Sequence, residues 1–174
     1  MNDCLDTVQV REVSRDDAAE LTELLNAIIA RGGTTALQEA FTPNDLAETY
    51  LDGAAVHCCF VAIDPITGRI GGFQTLVREP SLPDEIGDIG TFARVDGKQR
   101  GIGSALFKAT RERAKSFGHV AINATIRADN VGGLAYYTKM GFFDHSMTPN
   151  IALNDGTPVD RVHKRYPLTT EVKY

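Results

Sequence analysis

The chain has 174 residues, of which 43% are hydrophobic and 24% charged, and its net charge is −5. This is the size and composition of one soluble domain with one core, so we expect a single domain over residues 1–174. The negative charge argues against general nucleic-acid binding, and no apolar run reaches the roughly 18–20 residues that a membrane span needs.

Periodicity and turn residues predict a series of elements along the chain. Ser14, followed by Asp17, and Thr42, followed by Pro43, are typical helix starts, and Gly32 is a typical helix end. In chain order, the prediction is a strand at 7–13, a helix from Ser14 to Gly32, a helix at 42–51, strands at 56–63, 69–77 and 86–95, a helix at 103–117, a strand at 120–125, a helix at 131–140, and strands at 142–147 and 161–166.

The order of these elements predicts the fold class. Runs of adjacent strands imply antiparallel pairing, whereas the strand–helix–strand unit at 86–125 implies one parallel, right-handed crossover. The expected class is therefore α/β (α+β), with a single mixed, mostly antiparallel sheet of about seven strands and about four helices packed on both faces.

The amino terminus and the cysteines favour a reducing compartment. Residues 1–10 have neither the basic nor the apolar region of a secretory signal. Cys58 and Cys59 are adjacent in a predicted strand, so they should point to opposite faces and cannot pair with each other. Three cysteines without a signal predict free thiols and a cytoplasmic protein. The four histidines have no ligand spacing, so we expect no metal site.

Basic residues are concentrated between Arg94 and Lys115. This stretch has seven Lys or Arg residues against two Asp or Glu residues, although the chain as a whole is acidic. Such a stretch is typical either of a site for an anionic ligand or of a solvated helix face. Arg113 falls on the apolar side of the predicted helix, which we attribute to a frayed last turn.

Two glycines, Gly101 and Gly103, lie between the strand at 86–95 and the next helix. They permit a tight turn, and the free N–H groups of the first helical turn can bind phosphate. The stretch lacks the Walker pattern GxxxxGK[ST], and Leu106 stands where a dinucleotide fingerprint needs a third glycine. An anion site and an ordinary helix start both remain open on these residues alone.

This strand–loop–helix resembles the GNAT superfamily of N-acetyltransferases. Gly101 and Gly103 match the family's pyrophosphate loop, [Q/R]-x-x-G-x-[G/A], but Lys98 stands at its first position and the pair Gln99–Arg100 is shifted by one. A second family signature, N-x-x-[A/G]-x-x-x-Y-x-x-x-G-F, is matched in register by Asn130, Gly133, Tyr137, Gly141 and Phe142. The resemblance covers 86–142, while residues 1–85 match only in the order of elements.

The resemblance implies the GNAT fold, acetyl-CoA as co-substrate, and direct transfer to the primary amine of a small molecule in a ternary complex. Tyr137 would be the general acid that protonates the departing CoA thiolate, and its neighbour Tyr136 does not fit the spacing. Main-chain N–H groups near Ala93 would stabilise the oxyanion. The full set of implied cofactor-binding residues is Phe92, Ala93, Arg94, Lys98, Gln99, Arg100, Gly101, Ile102, Gly103, Ser104 and Asn130.

Several alternatives stay open. Asn130 could be only a helix cap, and Tyr137 only a packed core residue. The base could be Asp88, Glu85 or water. The loop at 31–42 resembles that of the subgroup that acetylates phosphinothricin and methionine sulfoximine, but a peptide N-terminus, a polyamine or an aminoglycoside is also compatible. A non-catalytic CoA-binding module and a nucleotide-binding domain are the competing functions. A homodimer is compatible with the small size, and the sequence carries no signal for it.

Overall fold

A seven-stranded mixed sheet with helices on both faces forms the fold in the computed structural model, which describes residues 7–97 and 100–169. The elements are β1 (Gln9–Glu12), α1 (Ala18–Arg31), α2 (Pro43–Leu46), β2 (Val56–Ile63), β3 (Ile70–Val77), β4 (Ile86–Ala93), α3 (Ile102–Ser116), β5 (Ala121–Arg127), α4 (Val131–Met140), β6 (Phe143–Ala152) and β7 (Pro158–Pro167). A 3-10 turn at Arg15–Asp17 leads into α1, and a π-helical turn at Ala47–Leu51 continues α2.

The strand order is β1-β2-β3-β4-β5-β7-β6. Only β4 and β5 pair in parallel, and α3 connects them, whereas every other neighbouring pair is antiparallel. This arrangement confirms the predicted fold class, including its single parallel crossover.

The core is divided by the sheet into two layers. α1 and α2 pack on one face, where Leu21, Leu25 and Phe73 are fully buried. α3 and α4 pack on the other face, where Leu106 and Ile122 are fully buried. Cys58 belongs to the second layer and Cys59 to the first, so the two thiols are free and lie on opposite faces, as predicted.

The caps chosen from the sequence are present. The Ser14 side chain accepts a hydrogen bond from the backbone near the start of α1, and Ser14 N donates one to Asp17 Oδ2 at 2.7 Å. Thr42 caps α2 through Asp45 N, with Pro43 at the first position. These contacts satisfy N–H groups that a helix start leaves without partners.

Two local predictions need correction. Arg113 lies in the last turn of α3, as predicted, but this turn is formed rather than frayed, since Phe117 N donates to Arg113 O at 3.1 Å. The Arg113 guanidinium stacks 5.3 Å from the Phe60 ring centroid and pairs with Glu12. The long side chain thus covers the apolar face and keeps its charge at the edge. The last hairpin is also longer than predicted, because Pro149 is accommodated at an irregular point of the edge strand β6.

Among the described residues, no helix is long and apolar enough to cross a membrane. Within the same part of the chain, no group of three or more His, Cys, Asp or Glu residues could hold a metal ion.

Candidate active site

A cleft opens where β4 and β5 separate. The two strands pair only between Ile86–Asp88 and 121–123, and beyond that point each strand continues without the other. The gap belongs to a cleft of about 700 Å³ that is lined by the second half of β4, the end of β5, the loop before α2 and the first turns of α3 and α4. A cleft of this volume can hold a cofactor-sized ligand.

The second half of β4 presents main-chain groups to this cleft. Arg94 N donates to Gly71 O at 2.8 Å, so Arg94 and Gly71 form a hydrogen-bonded pair at the end of the β3–β4 ladder. Because such pairs alternate along an antiparallel ladder, Phe92 also pairs with β3, whereas Thr91 and Ala93 turn their N–H and C=O groups towards the gap. Of the three predicted residues from 92 to 94, Ala93 is therefore the one whose amide faces the cleft. Ala93 is also the position favoured from the sequence.

The side chains of Phe92 and Arg94 are engaged elsewhere. The Phe92 ring packs 4.9 Å from the Phe73 ring in the layer beneath α1 and α2. The Arg94 guanidinium donates to Ile70 O at 2.9 Å and pairs with Glu20 at 3.0 Å. Arg94 lines the cleft, but its charge is already compensated by the protein.

The start of α3 has the features of an anion site. Gly101 has φ +85°, a left-handed conformation that favours glycine, and it precedes the first residue of the helix. The first turn of α3, all of which the structure describes, has neither an acidic residue nor a side-chain cap. Its first N–H groups have no partner within the helix and lie at the positive end of the helix dipole.

The remaining predicted loop residues differ in what they can contribute. Ile102 is buried against Gly71 and Gly72, so it could contact a ligand only through its main chain. Ser104 is exposed on the first turn, and Arg100 stands just before Gly101. Lys98 and Gln99 lie outside the described residues.

Gly103 has a packing role that the sequence did not suggest. A Cβ atom at this position would lie 2.5 Å from the Tyr136 ring, whereas a Cβ on Gly101 would meet nothing within 4 Å. Tyr136 Oη also donates to Gly103 O at 2.8 Å. The second glycine is therefore required by the approach of α4 to α3, and not simply by the approach of a ligand.

Asn130 lies at the start of α4, and Tyr137 lies about two turns further along the helix. Asn130 caps the helix by accepting from Gly133 N at 2.9 Å, and its Nδ2 donates to Thr34 O at 2.7 Å, which ties the loop before α2 to this helix. Tyr137 is only 7% exposed, lines the cleft and hydrogen-bonds Thr91 Oγ1 at 2.8 Å. Burial raises the pKa of Tyr137, so the phenol stays protonated at neutral pH.

The two candidate bases are separated by their positions. Asp88 lines the cleft on the sheet face that carries α1 and α2, and Asn123 Nδ2 donates to its Oδ1 at 2.7 Å. Burial raises the pKa of Asp88 to about 6, against the effect of that hydrogen bond. Glu85 is exposed and does not line the cleft. Of the two carboxylates, Asp88 is therefore the one that lines the cleft.

Sequence reasoning missed four polar residues around the cleft. Asn123 is held by Arg165 Nε, which donates to its Oδ1 at 2.8 Å, so the Asn123 amide must direct its N–H groups to Asp88. The others are Gln74, Thr91 and Tyr136, which hydrogen-bond to one another or to Tyr137. A signal existed for Gln74, which with Thr75 interrupts an apolar strand.

Comparison with known proteins gives a consistent result. The model of the acetyltransferase (GNAT) family matches residues 22–142. YwnH of Bacillus subtilis, whose name gives phosphinothricin acetyltransferase as a provisional activity, is 25% identical over 162 residues, which are 91% of this chain and 94% of YwnH.

Solved structures show the same fold. A GNAT superfamily phosphinothricin acetyltransferase from Sinorhizobium meliloti, solved in complex with acetyl-CoA, superposes with a TM-score of 0.82 at 18% identity over 97% of this chain and 92% of that one. An N-acetyltransferase from Staphylococcus aureus Mu50 superposes with a TM-score of 0.80 at 16% identity over 94% and 99% of the two chains.

Proposed function

The chain belongs to the GNAT family of N-acetyltransferases, and we propose that it transfers the acetyl group of acetyl-CoA directly to the primary amine of a small, amino-acid-like molecule in a ternary complex. The observation that carries this proposal is the gap between β4 and β5, which has Asp88 on one face of the sheet and Tyr137 on the other. A base and an acid thus flank one opening from opposite sides, as a transfer between two bound substrates requires.

The residues of the cleft fit acetyl-CoA. The edge of β4 at Thr91 and Ala93 offers free main-chain groups to the amides of a pantetheine arm, and the start of α3 at Gly101 offers N–H groups to a pyrophosphate. Both features lie on the wall of one continuous cleft. When bound, acetyl-CoA supplies an acetyl group activated as a thioester.

Asp88 takes the proton of the incoming ammonium group in this proposal. With a pKa of about 6, the carboxylate is largely ionised at neutral pH and is still a better base than an exposed aspartate. Asn123 holds one carboxylate oxygen, which leaves the other for the amine. The amine would enter from the face that carries α1 and α2, where Tyr50 and Leu37 also line the cleft.

The negative charges of the reaction, on the oxyanion and on the leaving sulfur, develop on the other side of the gap. We assign the oxyanion to the Ala93 N–H, which the alternation of the β3–β4 ladder directs towards the gap. Tyr137 Oη holds the proton that the leaving sulfur receives, and its raised pKa keeps that proton in place until then. Phe92 and Arg94 support this edge through β3 and are not assigned a direct contact.

The proposal of an amino-acid-like acceptor is supported by the position of the loop before α2. Thr34–Leu37 line the cleft on the side of Asp88, and this loop is fixed by Asn130 and by Arg127, whose Nη1 donates to Thr35 O at 3.3 Å. The names of YwnH and of the Sinorhizobium meliloti protein refer to phosphinothricin, an amino acid.

Two measurements test the proposal. Calorimetric titration with acetyl-CoA, with NAD and ATP as controls, should show binding of acetyl-CoA alone. Thiol release should then be measured with phosphinothricin, methionine sulfoximine, spermidine and an aminoglycoside. Turnover of the first two supports the proposed acceptor, turnover of the others alone would correct it, and failure to bind acetyl-CoA would refute the function itself.

A further inference from the structure

A chain of hydrogen bonds runs from the start of α3 to the hydroxyl group of Tyr137. Tyr136 Oη lies 2.8 Å from Gly103 O and 3.2 Å from Gln74 Nε2. Gln74 Nε2 also lies 2.9 Å from Thr91 Oγ1, which in turn lies 2.8 Å from Tyr137 Oη. Gln74 and Thr91 are direct cross-strand partners on β3 and β4, so the sheet itself holds the middle of this chain.

In the first half of this hydrogen-bond chain, from Gly103 to Gln74, the donor and the acceptor of each bond follow from the kinds of groups present. A main-chain carbonyl can only accept, so Tyr136 must use its single proton on Gly103 O. Tyr136 Oη then has no proton for Gln74, and the Gln74 atom that faces it must be the donor, Nε2. The buried Oε1 atom of Gln74 consequently has no hydrogen-bond partner. Such an unpaired atom is rare in a folded core. Here it is explained by Tyr136, whose Oη needs a donor, so that Gln74 must turn Nε2 and not Oε1 towards it.

The direction of the second half follows from the first. The Gln74 amide has two hydrogens, and its second one goes to Thr91 Oγ1. Thr91 therefore accepts from Gln74 and has its own proton to place. Thr91 Oγ1 also approaches Tyr136, but Tyr136 Oη already accepts from Gln74, whereas Tyr137 Oη lies 2.8 Å from Thr91 Oγ1. Thr91 thus donates to Tyr137, and the Tyr137 proton is left to point elsewhere.

We infer that Thr91 and Gln74 are positioning residues that aim the Tyr137 proton into the cleft, an inference that rests on the proposed function of Tyr137 as the acid. In the acid step, the O–H bond of Tyr137 breaks and an S–H bond forms at the leaving sulfur. The Thr91 proton stays on Thr91 and hydrogen-bonds the phenolate that remains. A hydrogen bond to a charged oxygen is stronger than one to a neutral oxygen, so Thr91 stabilises the transition state more than the ground state.

The test uses the pKa of the CoA thiol bound to the full-length protein, followed by the ultraviolet absorbance of the thiolate. A donor that Thr91 polarises binds the thiolate more strongly. Thr91→Val should therefore raise the pKa of the bound thiol, and Thr91→Ser, which keeps the hydroxyl, should leave it near the wild-type value. If Tyr137 instead donated to Thr91, Thr91→Val would free the Tyr137 proton and lower that pKa. A lowered or unchanged value overturns the inference.

Kinetics give a second, independent readout. With the best amine from the thiol-release screen, Thr91→Val should lower kcat about 10- to 100-fold with little change in the Kd of acetyl-CoA, and Thr91→Ser should retain most of the turnover. In a Tyr137→Phe background, Thr91→Val should cause no further loss, because the group that it positions is gone. An equal loss in both backgrounds would mean a structural role only. Failure of the wild type to bind CoA would instead overturn the proposed function, and this inference with it.

Discussion

Replacing Asp88 by asparagine should make the protein more stable while removing the proposed base. The pKa of Asp88 is raised from 3.8 to about 6, chiefly because burial disfavours the charged carboxylate. A shift of about 2 units corresponds to about 3 kcal/mol of lost stability at neutral pH, as an upper limit. The half-buried carboxylate keeps part of its hydration, so we expect Asp88→Asn to raise the free energy of unfolding by about 1–2 kcal/mol. The asparagine oxygen can still accept from Asn123 Nδ2, so that contact need not be lost.

The gain should depend on pH in a defined window. Between about pH 4 and pH 6, the folded state holds the Asp88 proton more tightly than the unfolded state, so the stability of the wild type falls as the pH rises through this window. Below it both states are protonated and the penalty disappears, and above it the penalty is complete. The difference between Asp88→Asn and the wild type should therefore be largest at pH 7.5 and should shrink towards pH 4.5.

Urea unfolding at these two pH values checks the difference, with Glu85→Gln as a matched control. Glu85 is exposed on the same segment, so its replacement should change stability by less than about 0.5 kcal/mol at either pH. Turnover of Asp88→Asn should fall about 10²- to 10⁴-fold, and kcat/KM of the wild type should decline below about pH 6. A variant that is less stable than the wild type by the same amount at both pH values, or that is fully active, would refute the assignment.

Three further predictions concern the two signature regions. Tyr137→Phe should lower kcat by at least about 10²-fold and leave the calorimetric Kd of acetyl-CoA unchanged; full activity would remove Tyr137 from the mechanism. Gly103→Ala should cost about 1–3 kcal/mol in urea unfolding, since its Cβ would lie 2.5 Å from the Tyr136 ring, whereas Gly132→Ala, with its nearest atom at 3.9 Å, should be neutral or stabilising. Asn130→Ala should cost about 1 kcal/mol for the cap, and a larger loss in acetyl-CoA affinity than in melting temperature would indicate cofactor binding.

The order of elements and the sheet pairing were accessible from local patterns. Helix starts such as Ser14 and Thr42 depend on contacts within four residues, and the crossover through α3 follows from a general handedness rule. The length of the last hairpin was not accessible in the same way. Pro149 has no N–H and so disfavours a strand, and only its place on an edge strand makes that loss tolerable.

The cleft was accessible only in part, because it depends on where two strands stop pairing. Nothing in the residues of β4 marks Asp88 as the last position that pairs with β5, because the separation of β4 from β5 depends on what packs against both strands. From the sequence alone, Thr91 cannot be distinguished from an ordinary strand residue, because its cross-strand partner Gln74 is not known. The functional polar residues on strands are the ones that local patterns identify least well, because their role is set by neighbours distant in the chain.

The structural and functional explanations of the signature residues are not exclusive. Gly103 belongs to the first signature and Tyr137 to the second, yet Tyr136 connects them by filling the space that Gly103 leaves and by donating to its carbonyl. Asn130 both caps α4 and holds the loop before α2. Each such residue forms the cleft and would also act in it. Loss of activity in a variant is therefore ambiguous on its own, and a role in chemistry follows only where turnover changes while stability and acetyl-CoA affinity do not.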